Sequence, residues 1–340
     1  MSAVSVTLCR GTRKGLLPII LQTISRHVQY CTHGTKVLQS HDRSGKIKIG
    51  DIEIAPWTTA GLESCVVVSL NSGQSKQMHL AFDMGYACQK SVKCDHVFIS
   101  HGHMDHCSAL HQHASKRSLI RSPPAKYYIG SDLRAPMQTI HENFKRLSEF
   151  PFKADLIVAE PNEAINLPGP YHVVPFKTVH RVPSIGFLLY KTKSHVKEKF
   201  STHSKQELKK LELSGEQVYY QTVTPELAYT GDTTFEVFSE PPIADLLKVK
   251  ILITECTYIK TARNVTEAMT RERGHIHLDE IIRNSHMFSE VEALMLVHFS
   301  DRYKADDITE TIERQCPAKL KRKLYSASVH NEQTHIVCYS

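Results

Sequence analysis

The stretch Phe98-Ile99-Ser100-His101-Gly102-His103-Met104-Asp105-His106 sets three imidazoles and a carboxylate within six residues. It follows directly on an apolar run, His96 to Ile99, that reads as a β-strand, so the cluster occupies the loop leaving a strand. Cationic imidazoles crowded in this way repel one another, and a divalent cation removes the conflict by using them as neutral donors. Imidazole nitrogen with carboxylate oxygen favours zinc, although manganese or iron could fill the same set. Four residues cannot hold two metals, so further ligands must come from elsewhere. His180 ends Phe176-Lys177-Thr178-Val179-His180, Asp232 sits in Thr230-Gly231-Asp232-Thr233-Thr234, and His298 ends Leu294-Met295-Leu296-Val297. Each closes a strand-like run, from which a rigid sheet can aim a side chain into a shared cleft. Any one of them alone could equally be structural.

Working outward, folded structure is expected from Lys46. Ile47 and Ile49 alternate, Gly50-Asp51 supplies a two-residue turn, and Ile52 and Ile54 resume the alternation. Apolar runs then recur at Ser64 to Leu70, His79 to Phe82, Lys126 to Ile129, Leu156 to Ala159, His172 to Phe176, Ile185 to Tyr190, Leu227 to Tyr229, Lys250 to Thr254 and Leu294 to Val297. Helical periodicity appears at Leu133 to Phe150, Leu278 to Phe288 and Ala305 to Cys316, so the pattern is many strands with intervening helices, an α/β fold. Lys191 to Gly215 differs: Lys191, Lys193, Lys197, Lys199, Lys205, Lys209 and Lys210 outnumber three glutamates between two strand-like segments. It reads as an inserted basic arm suited to RNA, or as a solvated amphipathic helix over Ser204 to Leu213.

The chain has 340 residues, enough for a sizeable core; 41% are hydrophobic and 23% charged, and no run reaches the ~18 apolar residues that would span a bilayer, so no membrane partner is expected. Lys and Arg number 42 against 35 Asp and Glu, a net +7 that suits polyanions without proving them. Twenty-one histidines direct attention to metal and acid–base chemistry. Nine dispersed cysteines without a CxxC pair indicate neither a disulfide framework nor a thiolate zinc knot. Before Asp42 there is no acidic residue, whereas Arg10, Arg13, Lys14, Arg26 and Lys36 stand among Ser and Thr. Residues 1–45 thus read as a basic leader, a mitochondrial transit peptide first, with plastid, nucleus or cytosol as alternatives. Residues 46–340 form the expected catalytic domain.

These motifs resemble those of the metallo-β-lactamase superfamily and, within it, the short form of ribonuclease Z, the tRNA 3′-end processing endonuclease. The likeness runs from about Ile52 to Tyr303. Ser100 to His106 is similar to the SHxHxDH motif, which marks only the superfamily; Gly274-His275-Ile276-His277 followed by His298-Phe299-Ser300-Asp301-Arg302-Tyr303 is more specific, and the set most resembles plant-type short enzymes. The resemblance implies an αββα sandwich of two mixed sheets flanked by helices, and two zinc ions. The first would be bound by His101, His103 and His180, the second by Asp105, His106 and His298, with Asp232 bridging. It further implies catalytic roles for Asp105, His275 and Glu255, precursor tRNA as substrate, a homodimer, and tRNA contact by the 191–215 arm. Two departures stand out. Cys107-Ser108-Ala109 replaces the usual glycines, from which a shifted first turn is expected, and Thr58 to Glu63 replaces a glycine-rich segment. Two other functions compete: hydrolysis of a small ester on the same metals, since fold does not fix substrate, and non-catalytic RNA binding. The latter predicts decayed ligands, whereas all seven are present.

Overall fold

The computed structural model describes residues 45–71, 77–148, 150–262 and 265–339. Among them, one sheet runs in sequence order through β1 (Ile47–Ile49), β2 (Ile52–Thr59), β3 (Glu63–Leu70), β4 (Met78–Phe82), β5 (His96–Phe98), β6 (Lys126–Ile129) and β7 (Asp155–Val158). It is antiparallel as far as β4 and parallel beyond. A second sheet contains β8 (Ile165–Asn166), β9 (Tyr171–Lys177), β10 (Ile185–Val196), β11 (Tyr219–Tyr229), β12 (Ile251–Glu255), β13 (Ala293–Val297), β14 (Leu324–His330) and β15 (Gln333–Cys338), again in sequence order. Its strands are parallel from β11 to β14 and antiparallel elsewhere.

The period-2 rule explains the layering. Along β3, Val66 and Val68 enter the core between the sheets while Cys65 and Val67 enter the core under the helices, which is why the run is buried on both faces. Between the sheets, Phe82 and Phe98 of one meet Phe187 and Tyr229 of the other, with ring centroids 5.2–6.1 Å apart. Each fully buried ring removes enough apolar area from water to contribute roughly 2–3 kcal/mol. Helices α1 (Met104–Cys107), α2 (Leu110–Leu119) and α3 (Ser131–Leu147) belong to the first sheet's side of the molecule; α2 and α3 bury Leu110, Ala114, Leu133 and Met137 there. After α4 (Lys205–Leu213), the helices α5 (Glu236–Ser239), α6 (Glu267–Glu272), α7 (Leu278–Arg283), α8 (Ala305–Gln315) and α9 (Ala318–Lys321) follow, and α5, α7, α8 and α9 bury Phe238, Ile281, Ile308, Ile312 and Leu320 against the second sheet. The result is the expected αββα sandwich.

The hairpin at Gly50-Asp51 forms with Ile49 opposite Ile52, Gly50 supplying φ 57°. Some boundaries move. The helix expected to reach Phe150 stops at Leu147, ahead of Pro151, and the one expected to reach Phe288 breaks at Asn284 into a 3₁₀ turn over Ser285–Phe288. The basic arm also differs from its expected bounds. Lys191–Val196 continues β10, and the return strand pairs Thr224 with Lys191 and Tyr219 with Val196, so the protrusion extends past Gly215 to Thr224. Gln221, Thr222 and Thr224 are polar, which hid a strand that leaves the sheet and buries little. At its tip α4 is capped by the Ser204–Glu207 box and closes over Phe200, Leu208 and Val218. The leader expected over residues 1–45 lies, but for Gly45, outside the described residues.

Candidate metal centre

The ends of four strands, β5, β9, β11 and β13, supply the expected ligands. Asp83, directly after β4 with φ 60°, is wholly buried and organises one side of the site. Its carboxylate accepts from Ser100 N–H (2.7 Å), Ser100 Oγ (2.9 Å) and Tyr229 Oη (2.6 Å), and lies 2.7 Å from His106 Nδ1. His106 thereby donates through Nδ1 and turns Nε2 into the cleft. His180, after β9, is oriented alike, with Nδ1 2.8 Å from the Gly274 carbonyl; a Cβ on Gly274 would fall 2.5 Å from that nitrogen, so the glycine allows the close approach. His298, after β13, has φ 59° and donates its backbone N–H to Thr58 Oγ1.

The seven residues expected as ligands converge in two sets. In the first, His101 Nε2 and His180 Nε2 lie 3.0 and 3.2 Å from His103 Nδ1, and Asp232 Oδ2 is 3.9 Å from His101 Nε2. In the second, Asp105 Oδ2 is 3.3 Å from His106 Nε2 and 3.2 Å from His298 Nε2, and the two Nε2 atoms are 3.2 Å apart. Asp232 Oδ2 lies 3.3 Å from His106 Nε2, so this one carboxylate touches both sets. A tetrahedral zinc with bonds of ~2.1 Å separates its nitrogens by ~3.4 Å, close to the spacing found. Buried Asp232 Oδ1 accepts no hydrogen bond, although His298 Nδ1 stands 3.3 Å away. Burial, reinforced by the His106 charge, pulls His101 down to about 2, and burial likewise lowers His103 and His180. All three are neutral donors at neutral pH. Burial opposes ionisation of Asp105 and Asp232, yet the His106 and His298 imidazoles hold both below the ordinary carboxylate range. Burial disfavours a charge on His106 too, but the Asp232 and Asp83 carboxylates outweigh it and hold that imidazole well above its ordinary range, so a dication would take the place of its proton. Three neutral imidazoles on one side, ionised carboxylates on the other and an unmatched buried oxygen form a donor set that fits a pair of dications.

Beside this set, Glu255 at the end of β12 lies 2.8 Å from His275 Nδ1 through Oε1, while its Oε2 accepts from Thr257 Oγ1 (2.6 Å). Burial opposes a charge on His275, but the Glu255 carboxylate outweighs it and raises the imidazole to about 9. The carboxylate fixes the ring through Nδ1 and leaves Nε2 for the cleft.

Cys107-Ser108-Ala109 does not displace the ligands. Cys107 closes the single turn α1, its thiol donating to the His103 carbonyl, and Ala109 N–H bonds the Met84 carbonyl at 2.9 Å. The close approach a glycine permits is made at Gly85, where a Cβ would fall 1.7 Å from the Asp105 carbonyl oxygen. In the altered Thr58 to Glu63 segment, Gly61 N–H donates to Asp105 Oδ2 at 2.8 Å. The seven arm lysines lie on or beyond the protruding part of β10, three on the strand itself or just past its end, one in the turn over Glu198–Phe200 and three on α4. Asp83, Thr257 and Tyr229 were missed by the sequence reading; Asp83 was accessible to it, since it too closes a strand-like run.

No family model matches the chain. The metallo-β-lactamase-fold protein YhfI of Bacillus subtilis superimposes with a TM-score of 0.50 over 84% of this chain and 99% of its own, at 15% identity. Layers, strand order and donor set thus define a protein of the metallo-β-lactamase fold. By sequence, tRNase Z TRZ1 of Arabidopsis thaliana is 29% identical over 276 residues, covering 81% of this chain and 95% of the relative. The chloroplastic tRNase Z TRZ2 of the same plant is 27% identical over 290 residues, 85% of this chain and 79% of its own. The chain is a homologue of these tRNase Z proteins.

Proposed function

We propose that the protein is a metal-dependent endoribonuclease that removes the 3′ trailer from precursor tRNA, leaving a 3′-hydroxyl on the tRNA and a 5′-phosphate on the trailer. The observation that carries this is the pair of convergent donor sets sharing Asp232, with the Glu255–His275 pair beside them. His101, His103 and His180 would hold one zinc, Asp105, His106 and His298 the other, and Asp232 both. When bound, two dications lower the pKa of a water and draw charge from the phosphodiester oxygens. Asp105, steadied by Gly61 N–H, orients the attacking water through its carboxylate. His275 gives the proton from Nε2 to the departing 3′-oxygen, and Glu255 keeps the ring charged and aimed. Supporting RNA as substrate, the arm carries Lys191, Lys193, Lys197, Lys199, Lys205, Lys209 and Lys210 beside exposed Tyr219 and Tyr220, which suits phosphates with stacking bases.

Offering a labelled precursor tRNA beside a generic phosphodiester, with and without chelator, tests the reading. The expected result is chelator-sensitive cleavage at the trailer junction. Turnover of the generic ester alone would favour a small-ester hydrolase, and tRNA binding without turnover a non-catalytic protein.

The proposal extends to a homodimer in which one subunit's arm holds tRNA for the other's metals. Sedimentation at micromolar protein should give twice the mass of the chain; a fully active monomer would contradict it. For the leader, residues 1–45, we favour mitochondrial import, because the stretch before Asp42 is cationic and carries no acid, so the inner-membrane potential draws it, with a plastid, the nucleus or the cytosol as the other destinations. Fused to a fluorescent reporter, the segment should mark mitochondria, and a diffuse signal would discard the targeting reading. Among the described residues no helix is long and apolar enough to cross a membrane.

A further inference from the structure

Next to the metal centre lies a hollow of about 530 Å³, and His180 belongs to both. That volume suits a nucleotide-sized ligand. Four charged side chains border it, Asp132, Glu160, Lys177 and Arg181, and among the described residues none of them makes an ion pair or side-chain hydrogen bond. Pro161 and Pro183 supply apolar walls. The N-terminus of α3 opens here, with Asp132 in its first turn; among the described residues the carboxylate accepts no bond from a helix N–H, and its Oδ1 lies 2.6 Å from where a Cβ on Gly130 would fall. A negative charge in the first turn disfavours a phosphate at that point. Arg181 also borders a neighbouring hollow of about 470 Å³ edged by Met269, Glu272 and Arg273. A guanidinium between two hollows suits the phosphate linking two nucleotides.

We propose that the first hollow is a nucleoside subsite for the nucleotide adjoining the scissile phosphate, and that Asp132 and Glu160 select a base carrying an exocyclic amino group. Ionised carboxylates only accept hydrogen bonds, so they reward the amino edge of cytosine and leave the uracil O4 edge facing like charge. The proline walls pack against the faces of the base, and Arg181 takes the phosphate. The inference rests on the nuclease reading for its substrate, but its test does not depend on turnover.

Metal-loaded full-length protein is titrated calorimetrically with cytidine 5′-monophosphate and uridine 5′-monophosphate, whose phosphates meet the metals equally. The cytidine nucleotide should bind about tenfold more tightly, the low end of what one good base contact discriminates. In Asp132→Ala/Glu160→Ala the ratio should fall towards one. Asp132→Asn/Glu160→Gln, which keeps side-chain size, should narrow it as well. Equal binding by the wild type, or a ratio unchanged in both variants, overturns the proposal. Precursors with cytidine changed to uridine at the last tRNA nucleotide or the first trailer nucleotide then show which neighbour is read, and insensitivity at both positions also overturns it. Failure of the nuclease reading would look different: no cleavage of any precursor by a wild type that still prefers the cytidine nucleotide.

Discussion

His103→Ala or Asp232→Ala should lower precursor-tRNA cleavage by on the order of 10³-fold or more while the protein remains folded. Losing either dication forfeits several kcal/mol of charge stabilisation as well as the activated water. Asp232 touches both donor sets, so its loss should release metal from each, whereas His103 serves the first set alone. The packed cores between and outside the sheets do not depend on either residue. Metal analysis should therefore give about two zinc for the wild type, fewer for each variant, and an unchanged far-ultraviolet circular dichroism spectrum. Stoichiometric metal retained when both residues are replaced would refute the ligand assignment.

Shortening the arm should separate binding from chemistry. A two-residue turn joining Thr192 to Val223, which face each other across the β10–β11 ribbon, removes Lys193, Lys197, Lys199, Lys205, Lys209 and Lys210 together with Tyr219 and Tyr220. Each lost phosphate contact removes roughly 0.7–0.9 from the log–log salt slope of binding, so affinity for precursor tRNA should fall by about 10²-fold or more at low salt and depend less on salt. Hydrolysis of a small phosphodiester should persist, because the metal cluster lies elsewhere. Equal loss on both substrates would make the arm a structural element.

What the sequence revealed followed from how strongly each residue was constrained. Strands buried on both faces, such as Val66 to Val68 and Leu294 to Val297, announced themselves because every position is apolar. The return strand Tyr219–Thr224 and the closing hairpin of β14 and β15 did not, since they mix polar with small residues and draw their order from pairing. Of the site, the first four ligands were legible through their crowding. His180, Asp232 and His298 showed only as strand ends, and the family resemblance was needed to join them. Asp83 closes a strand-like run as His180 and His298 do, but its role shows only once Ser100, His106 and Tyr229 are brought around it. Thr257 carries no spacing of its own and takes its role from Glu255, His275 and His298.

As proposed, these residues cut precursor tRNA at the junction between its body and its trailer by attack of water on phosphorus. Mapping both product ends after incubation with the purified, metal-loaded protein tests it most directly. The expected products are those of one cut at that junction, a tRNA ending in a 3′-hydroxyl and a released trailer beginning with a 5′-phosphate, and chelation should abolish both. Products bearing a 2′,3′-cyclic phosphate, or cleavage that persists without metal, would contradict it.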